Sequence, residues 1–217
     1  MFDEADQGAI RIKICGICNA EDARAAVALG ADAIGLNAFR GSKRFIDIAA
    51  SASWIETLPE GVRKIAILVD PTFEDALAIS RLPFITGLQL HGSESPEFCR
   101  RLADRGVAFG KALPVRDESS LQALPDYSTR WLVLDSASAG AFGGSGKVFP
   151  WEIARRFIES APDLKVLLAG GLTPENVASA IKAVRPFGVD VTSGVEASPG
   201  RKDHARLRAF IEAARAV

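Results

Sequence analysis

The segment "KVLLAGGLTPENVASAIKAV", residues 165–184, holds one complete structural unit. After the entry Lys165, residues 166–169 are all apolar, the pattern of a strand covered on both faces. Gly170-Gly171 break the run, and Thr173-Pro174 offers a helix N-cap followed by a first-turn proline. Val177, Ala180, Ile181 and Val184 then recur at i, i+3, i+4 and i+7, which is one face of a helix. Strand, glycine loop and helix make one β/α unit, so the fold depends on how often the chain repeats it.

Outward from this unit the pattern continues in both directions. Further strand-like runs are "IRIKIC" (10–15), "ADAIGL" (31–36), "KIAILV" (64–69), "ITGLQL" (85–90), "AFGKAL" (108–113), "WLVLD" (131–135) and "GVDV" (188–191). Helical spacing recurs at Ala23, Ala26 and Val27, at Cys99, Leu102 and Ala103, and at Leu207, Phe210, Ile211 and Ala214. Asn19 with Asp22 reads as a capping pair, and Asp203 opens the last helix. The fifth unit offers only the short, polar "DESSLQAL" for its helix. Eight units of roughly 25 residues predict a single-domain (β/α)8 TIM barrel, small for its class. An open doubly wound sheet usually stops at five or six parallel strands. No Pro/Gly/Ser-rich linker divides the chain, so residues 10–217 read as one barrel and residues 1–9 as a short disordered leader.

The composition excludes several classes of function. The 217 residues carry 26 basic and 27 acidic side chains, a formal net charge of -1, which gives no global attraction to nucleic acid or to an acidic membrane. No apolar run reaches the roughly 18 residues that span a bilayer. The acidic start "MFDEADQGAI" lacks the basic and apolar regions of a signal peptide. Three cysteines do not make a disulfide framework, so a cytoplasmic location is expected.

Barrel active sites lie at the C-terminal ends of the strands. Those ends carry Cys15, Asn37, Asp70, His91, Leu113, Asp135, Gly170-Gly171, and Asp190 with Ser193-Gly194. The glycine loops after strands seven and eight expose backbone N–H groups where such barrels usually bind phosphate. Tight turns alone would also use those glycines. Asp135 ends four apolar residues, where partial desolvation suits a general acid, although an aspartate there can equally cap a turn. Arg44, in "GSKRF", can bind a carboxylate in bidentate fashion or simply be solvated. His91 can be an acid, a base, a ligand or a structural histidine, and His204 reads as surface. "AFGGSG" (141–146), in the long loop over residues 136–150, reads as a functional lid.

Cys15 and Cys18 have C-x-x-C spacing, but zinc needs four ligands and the chain adds only Cys99 and two distant histidines. A redox pair normally opens a helix, whereas Cys15 closes a strand. A single thiol aimed into the barrel mouth remains, with Cys18 a bystander.

The segments "KICGICN", "GADAIGL", "SKRFI", "LQLHG", "VLDS" with "GGSGKVFPW", "LAGGLTPENV", and "VDVTSGVE" with "PGRKD" run in order from residue 13 to 203. In that order they resemble the phosphoribosylanthranilate isomerase family of tryptophan biosynthesis. The resemblance implies an Amadori rearrangement without metal or organic cofactor, on a small-molecule phosphosugar-anthranilate substrate. It implies Cys15 as general base, Asp135 as general acid and Arg44 facing the anthranilate carboxylate. It also implies His91 and Asp190 in the pocket, and Gly170, Gly171, Ser193 and Gly194 on the phosphate. Neither nucleic acid nor membrane is an expected partner, and the expected assembly is a monomer or homodimer. Cys18 replaces the family's usual threonine, and Ala38 and Arg40 stand where an aromatic residue and a proline are common. Indole-glycerol-phosphate synthase uses strand-end lysines and glutamates, and the histidine-pathway isomerases use aspartates on strands one and five. Here those strands end in Cys15 and Leu113-Pro114. A non-catalytic phosphosugar-binding barrel is the contrasting reading.

Overall fold

Alternation along the first strand sets the architecture. Ile12 and Ile14 point one way into the main core, while Lys13 and Cys15 point the other. In the computed structural model, which describes residues 9–121, 124, 126–136 and 151–217, β1 (Arg11–Cys15) begins a closed parallel barrel of eight strands. The others are β2 (Ala33–Asn37), β3 (Arg63–Leu68), β4 (Gly87–Leu90), β5 (Phe109–Val115), β6 (Trp131–Ser136), β7 (Lys165–Leu168) and β8 (Gly188–Val191). Each strand pairs with its neighbour in sequence, and β1 closes on β8 with Lys13 opposite Asp190. The proposed lid at 141–146 and residues 1–8 of the leader lie outside the described residues.

Burial on both faces produces two cores. Outside the barrel, Ile12, Ile14, Ile34, Leu36, Leu88, Leu90 and Leu134 meet the helices. Inside, Ala33, Ile65, Ala112, Val133, Leu167 and Ala169 form a separate cluster, against which Trp131 and Phe187 pack edge to face at 5.1 Å. The helices are α1 (Ala20–Ala28), α2 (Ala52–Ile55), α3 (Phe73–Ser80), α4 (Pro96–Ala103), α5 (Trp151–Ser160), α6 (Val177–Val184) and α7 (His204–Arg215). The Asn19 side chain accepts from Asp22 N and that of Asp203 from Ala205 N and Arg206 N, as the capping pattern predicts.

Three local details depart from the sequence reading. The fifth unit carries a 3-10 turn at Glu118–Leu121 in place of an α-helix, because "DESSLQAL" has too few apolar positions for a buried face. Helix α6 begins at Val177, after a turn in which Thr173 O accepts from Asn176 N and Val177 N, so Thr173-Pro174 opens that turn and not the helix itself. After β8, an unexpected antiparallel hairpin, β9 (Glu196–Ser198) and β10 (Arg201–Lys202), turns at Gly200 with φ 83°.

Candidate active site

Cys15 stands at the mouth end of β1, where Gly35 on β2 is its cross-strand partner. A side chain at Gly35 would place its Cβ 2.9 Å from Cys15 Sγ, so the glycine is what leaves room for the thiol. One step deeper on the same face lies Lys13, with no solvent exposure, its Nζ 2.6 Å from Asp190 Oδ2. Burial pushes the Cys15 thiol up from its ordinary value, and Asp190 adds to the rise. The Lys13 ammonium, the Lys202 ammonium and a hydrogen bond with Thr192 work against it. Burial also disfavours the charge on Lys13, but Asp190 and then Cys15 outweigh it and hold the ammonium above the ordinary lysine range.

Across the mouth, β6 presents Asp135, with Oδ2 3.5 Å from His91 Nε2. The other ring nitrogen of His91 is 3.0 Å from Gln89 Nε2, and an amide N–H donating there leaves the ring proton on Nε2, facing Asp135. Asp135 Oδ1 and Asp190 Oδ1 are buried yet have no hydrogen-bond partner among the described residues. Buried carboxyl oxygens are normally paired, so two orphans in one cleft point to a polar ligand that meets them.

Arg44, between β2 and α2, reaches across Gly16, where φ is 71° and a Cβ would come within 2.6 Å of Arg44 Cδ. Its Nε and Nη2 bind Glu196 at 2.8 and 2.7 Å, a bidentate pair that raises the arginine's pKa. Lys202 completes the support from β10, donating to Cys15 O at 2.7 Å, Thr192 O at 3.2 Å and Glu196 Oε1 at 3.1 Å. Burial lowers Lys202 from the usual lysine value; burial also opposes the charge on Glu196, but Arg44 and Lys202 prevail and hold that carboxyl low.

The glycine loops adjoin one another. Gly170 and Gly171 are both left-handed, with φ 81° and 68°, conformations that glycine adopts without strain. A Cβ on Gly170 would overlap Ser136 N, and one on Gly194 would overlap the Leu172 carbonyl oxygen, so neither position has room for a side chain. Ser193 and Gly194 begin the 3-10 turn Ser193–Val195.

A single cleft of about 680 Å³ gathers Cys15, Arg44, His91, Asp135, Gly170, Gly171, Asp190, Ser193 and Gly194. Of the remaining strand-end residues, Asn37 also borders this space, whereas Asp70 and Leu113 do not. Cys18 is outside it, with Sγ 3.3 Å from Arg44 O. Cys99 is buried in α4, its thiol pushed up to about 11 by burial. His204 binds Asp22 at 2.8 Å, away from the mouth. Among the described residues, no group of three His, Cys, Asp or Glu side chains is placed to hold a metal ion.

Lys13, Gln89, Thr192, Glu196 and Lys202 escaped the sequence reading. For Lys13 a signal existed: it lies two residues before Cys15, and a period of two puts both on the inner face. For Lys202, held by the hairpin, none did.

The chain is similar throughout to proteins of one family. The profile of "N-(5'phosphoribosyl)anthranilate (PRA) isomerase" matches residues 12–213. The N-(5'-phosphoribosyl)anthranilate isomerase of Trichlorobacter lovleyi is 43% identical over 95% of this chain and 98% of its own, and that of Pelobacter propionicus 44% over 95% and 96%. The crystal structure of phosphoribosyl anthranilate isomerase from Thermotoga maritima superposes with a TM-score of 0.87 at 38% identity, covering 96% of this chain and all of that one. Another, in complex with reduced 1-(o-carboxyphenylamino)-1-deoxyribulose 5-phosphate, gives 0.84 at 36% over the same shares. On this agreement of sequence, barrel and mouth, the chain belongs to the N-(5'-phosphoribosyl)anthranilate isomerase family.

Proposed function

We propose that the cleft carries out the Amadori rearrangement of N-(5'-phosphoribosyl)anthranilate to 1-(2-carboxyphenylamino)-1-deoxyribulose 5-phosphate, a step of tryptophan biosynthesis. The observation that carries the residue assignment is a thiol and an unpartnered carboxylate oxygen, Cys15 and Asp135 Oδ1, bordering one cleft that also holds two adjoining glycine loops.

Asp135 acts as the general acid toward the ribose ring oxygen, giving it a proton. The C1–oxygen bond breaks as the anthranilate nitrogen donates its lone pair, leaving an open-chain iminium. That cation acidifies the C2 proton, which the Cys15 thiolate removes. The enaminol so formed takes a proton at C1 and loses the one on its C2 hydroxyl, giving the ketone. The protons gained at the ring oxygen and at C1 balance those lost from C2 and its hydroxyl, so Asp135 and Cys15 end as they began and the reaction is an isomerisation. Backbone N–H groups of Gly170, Gly171, Ser193 and Gly194 hold the phosphate, whose charge suits such loops. Asp190 Oδ1 accepts from a sugar hydroxyl or the substrate amine. Arg44 meets the anthranilate carboxylate with the donors that Glu196 leaves unused, the Glu196 pair fixing the guanidinium plane.

The reaction fits a cytoplasmic enzyme acting on a small molecule, with no nucleic acid or membrane partner. No helix among the described residues is long and apolar enough to cross a membrane. The Thermotoga maritima relative is described as dimeric, with monomers generated from it, and we propose a monomer or homodimer here.

The test is turnover of freshly made phosphoribosylanthranilate by wild type and Cys15→Ser. The expected loss is roughly 10²–10⁴-fold, the usual contribution of a positioned base. Undiminished turnover would remove Cys15 from that role. A wild type that binds a reduced product analogue without turning over substrate would leave a binding barrel.

A further inference from the structure

We infer that Lys13 tunes Cys15: the ammonium, one step deeper on the same inner face of the barrel, offsets part of what burial costs the thiolate, and Asp190 restrains it until a ligand arrives. The inference rests on the reading of Cys15 as the base.

Apart from its partner Asp190 on β8, Lys13 faces an apolar barrel interior. Its cross-strand partner is Ala33, and the inner cluster around it is Ile65, Ala112, Val133 and Leu167. Placing an ammonium among them is costly unless its charge is used, and an apolar residue of similar volume would pack at least as well. The ammonium has three protons. Asp190 Oδ2 takes one at 2.6 Å, and the Cys15 side chain stands two residues on along the same inner face of β1.

The other charges facing Cys15 are committed elsewhere. Lys202 on β10 donates to Cys15 O, Thr192 O and Glu196, and Arg44 is clamped by the same Glu196. Thr192, just after β8, contributes a neutral hydroxyl, while Asp135 and His91 pair with each other on β6 and after β4. Lys13 is thus the cation directed at the sulfur, and Asp190 is the anion that competes for it. Asp190 Oδ1 is buried, unpartnered among the described residues, and borders the cleft. A ligand donor on Oδ1 draws the carboxylate's charge toward itself and leaves more of the ammonium's field for Cys15. Arrival of substrate and formation of the thiolate are thereby coupled.

Opposite signs test this. In a Cys18→Ser, Cys99→Ala background, Cys15 is titrated by its rate of alkylation with iodoacetamide against pH, with folding checked by circular dichroism. Lys13→Met should move the midpoint up by at least about one pH unit, the effect of removing a neighbouring opposite charge. Asp190→Asn should move it down, because the thiolate becomes the only anion for Lys13 to pair with. The acid limb of kcat/KM should follow both shifts. If Lys13→Met does not fold, Lys13→Gln carries the same expectation. An unmoved midpoint in the lysine variant, or shifts of the same sign in the two variants, overturns the inference. Cys15→Ser separates the two levels. If it keeps turnover, the base reading fails; if it is inactive while Lys13→Met leaves the midpoint in place, only the present inference fails.

Discussion

Two buried lysine–carboxylate pairs, of the same chemistry, are built in opposite ways. Outside the barrel, Lys111 Nζ binds Glu94 Oε2 at 2.8 Å and also the carbonyls of Leu90, Gly92 and Ala112. Glu94 in turn accepts from the backbone N–H groups of Asp70 and Gly92, so both ends are saturated. Inside, Lys13 and Asp190 share one short contact, and Asp190 keeps an oxygen free toward the cleft. The first pair ties down the chain on either side of His91 and the left-handed Asp70, with φ 45°. The second leaves an acceptor unpaired among the described residues, at the edge of the cleft. Saturation by backbone marks a structural pair, and a buried acceptor left open at a cleft marks a functional one.

The largest expected effect is at the open end of this comparison. Asp135→Asn removes the proposed acid and replaces an orphaned carboxylate oxygen with an amide that can donate. Turnover should fall by roughly 10²–10⁴-fold while thermal stability holds or rises, since a buried oxygen without a partner among the described residues has been replaced. Joint measurement of kcat and melting temperature checks it. A variant that loses stability in proportion to activity would place Asp135 with the saturated pairs.

At the closed end the expectation reverses. Lys111→Met strands Glu94 in the interior and should cost roughly 3–5 kcal/mol of unfolding free energy, read by denaturant titration. A double variant, Lys111→Met with Glu94→Leu, should recover much of that loss, because removing both charges also removes the desolvation cost. If the double variant is no better than the single one, the pair's backbone bonds matter more than its charges.

The same contrast explains what the sequence made legible. The strands could be read to within a residue or two because apolar runs report burial on both faces, and period two then assigns Cys15, His91, Asp135 and Asp190 to the interior. Strand ends gave the cleft for the same reason: in a closed parallel barrel they must converge. What stayed hidden depends on partners far away in sequence. Lys202 is buried, against the habit of lysines, because carbonyls of residues 15 and 192 and the carboxylate of Glu196 await it. The β9–β10 hairpin that delivers it is too short and polar for any periodic signal. Arg44 was read as a ligand for substrate carboxylate, yet its first partner is Glu196, and no spacing in "GSKRF" reports a glutamate 152 residues away.

Asp22 gives the smallest and most controllable form of the comparison. It is buried and saturated like Glu94, and its donors hold its own carboxyl in a definite direction. Burial pushes that pKa up, yet the bonds from Lys202 N, His204 and Asn19 prevail and hold it below the ordinary value of 3.8. A carboxyl depressed on folding stabilises the protein fully above its unfolded pKa, and the contribution is lost as pH falls through the folded value. Asp22→Asn should therefore cost roughly 1–3 kcal/mol near pH 6, the range for hydrogen bonds to a charged acceptor. The gap from wild type should narrow only below about pH 4 and close as the wild-type carboxyl itself becomes protonated. Chemical denaturation of both proteins between pH 6 and pH 2 reads this directly. A gap that stays constant across that range would mean that the side chain's shape, not its charge, joins α1 to β10 and α7. The saturated class would then be defined by packing rather than by electrostatics.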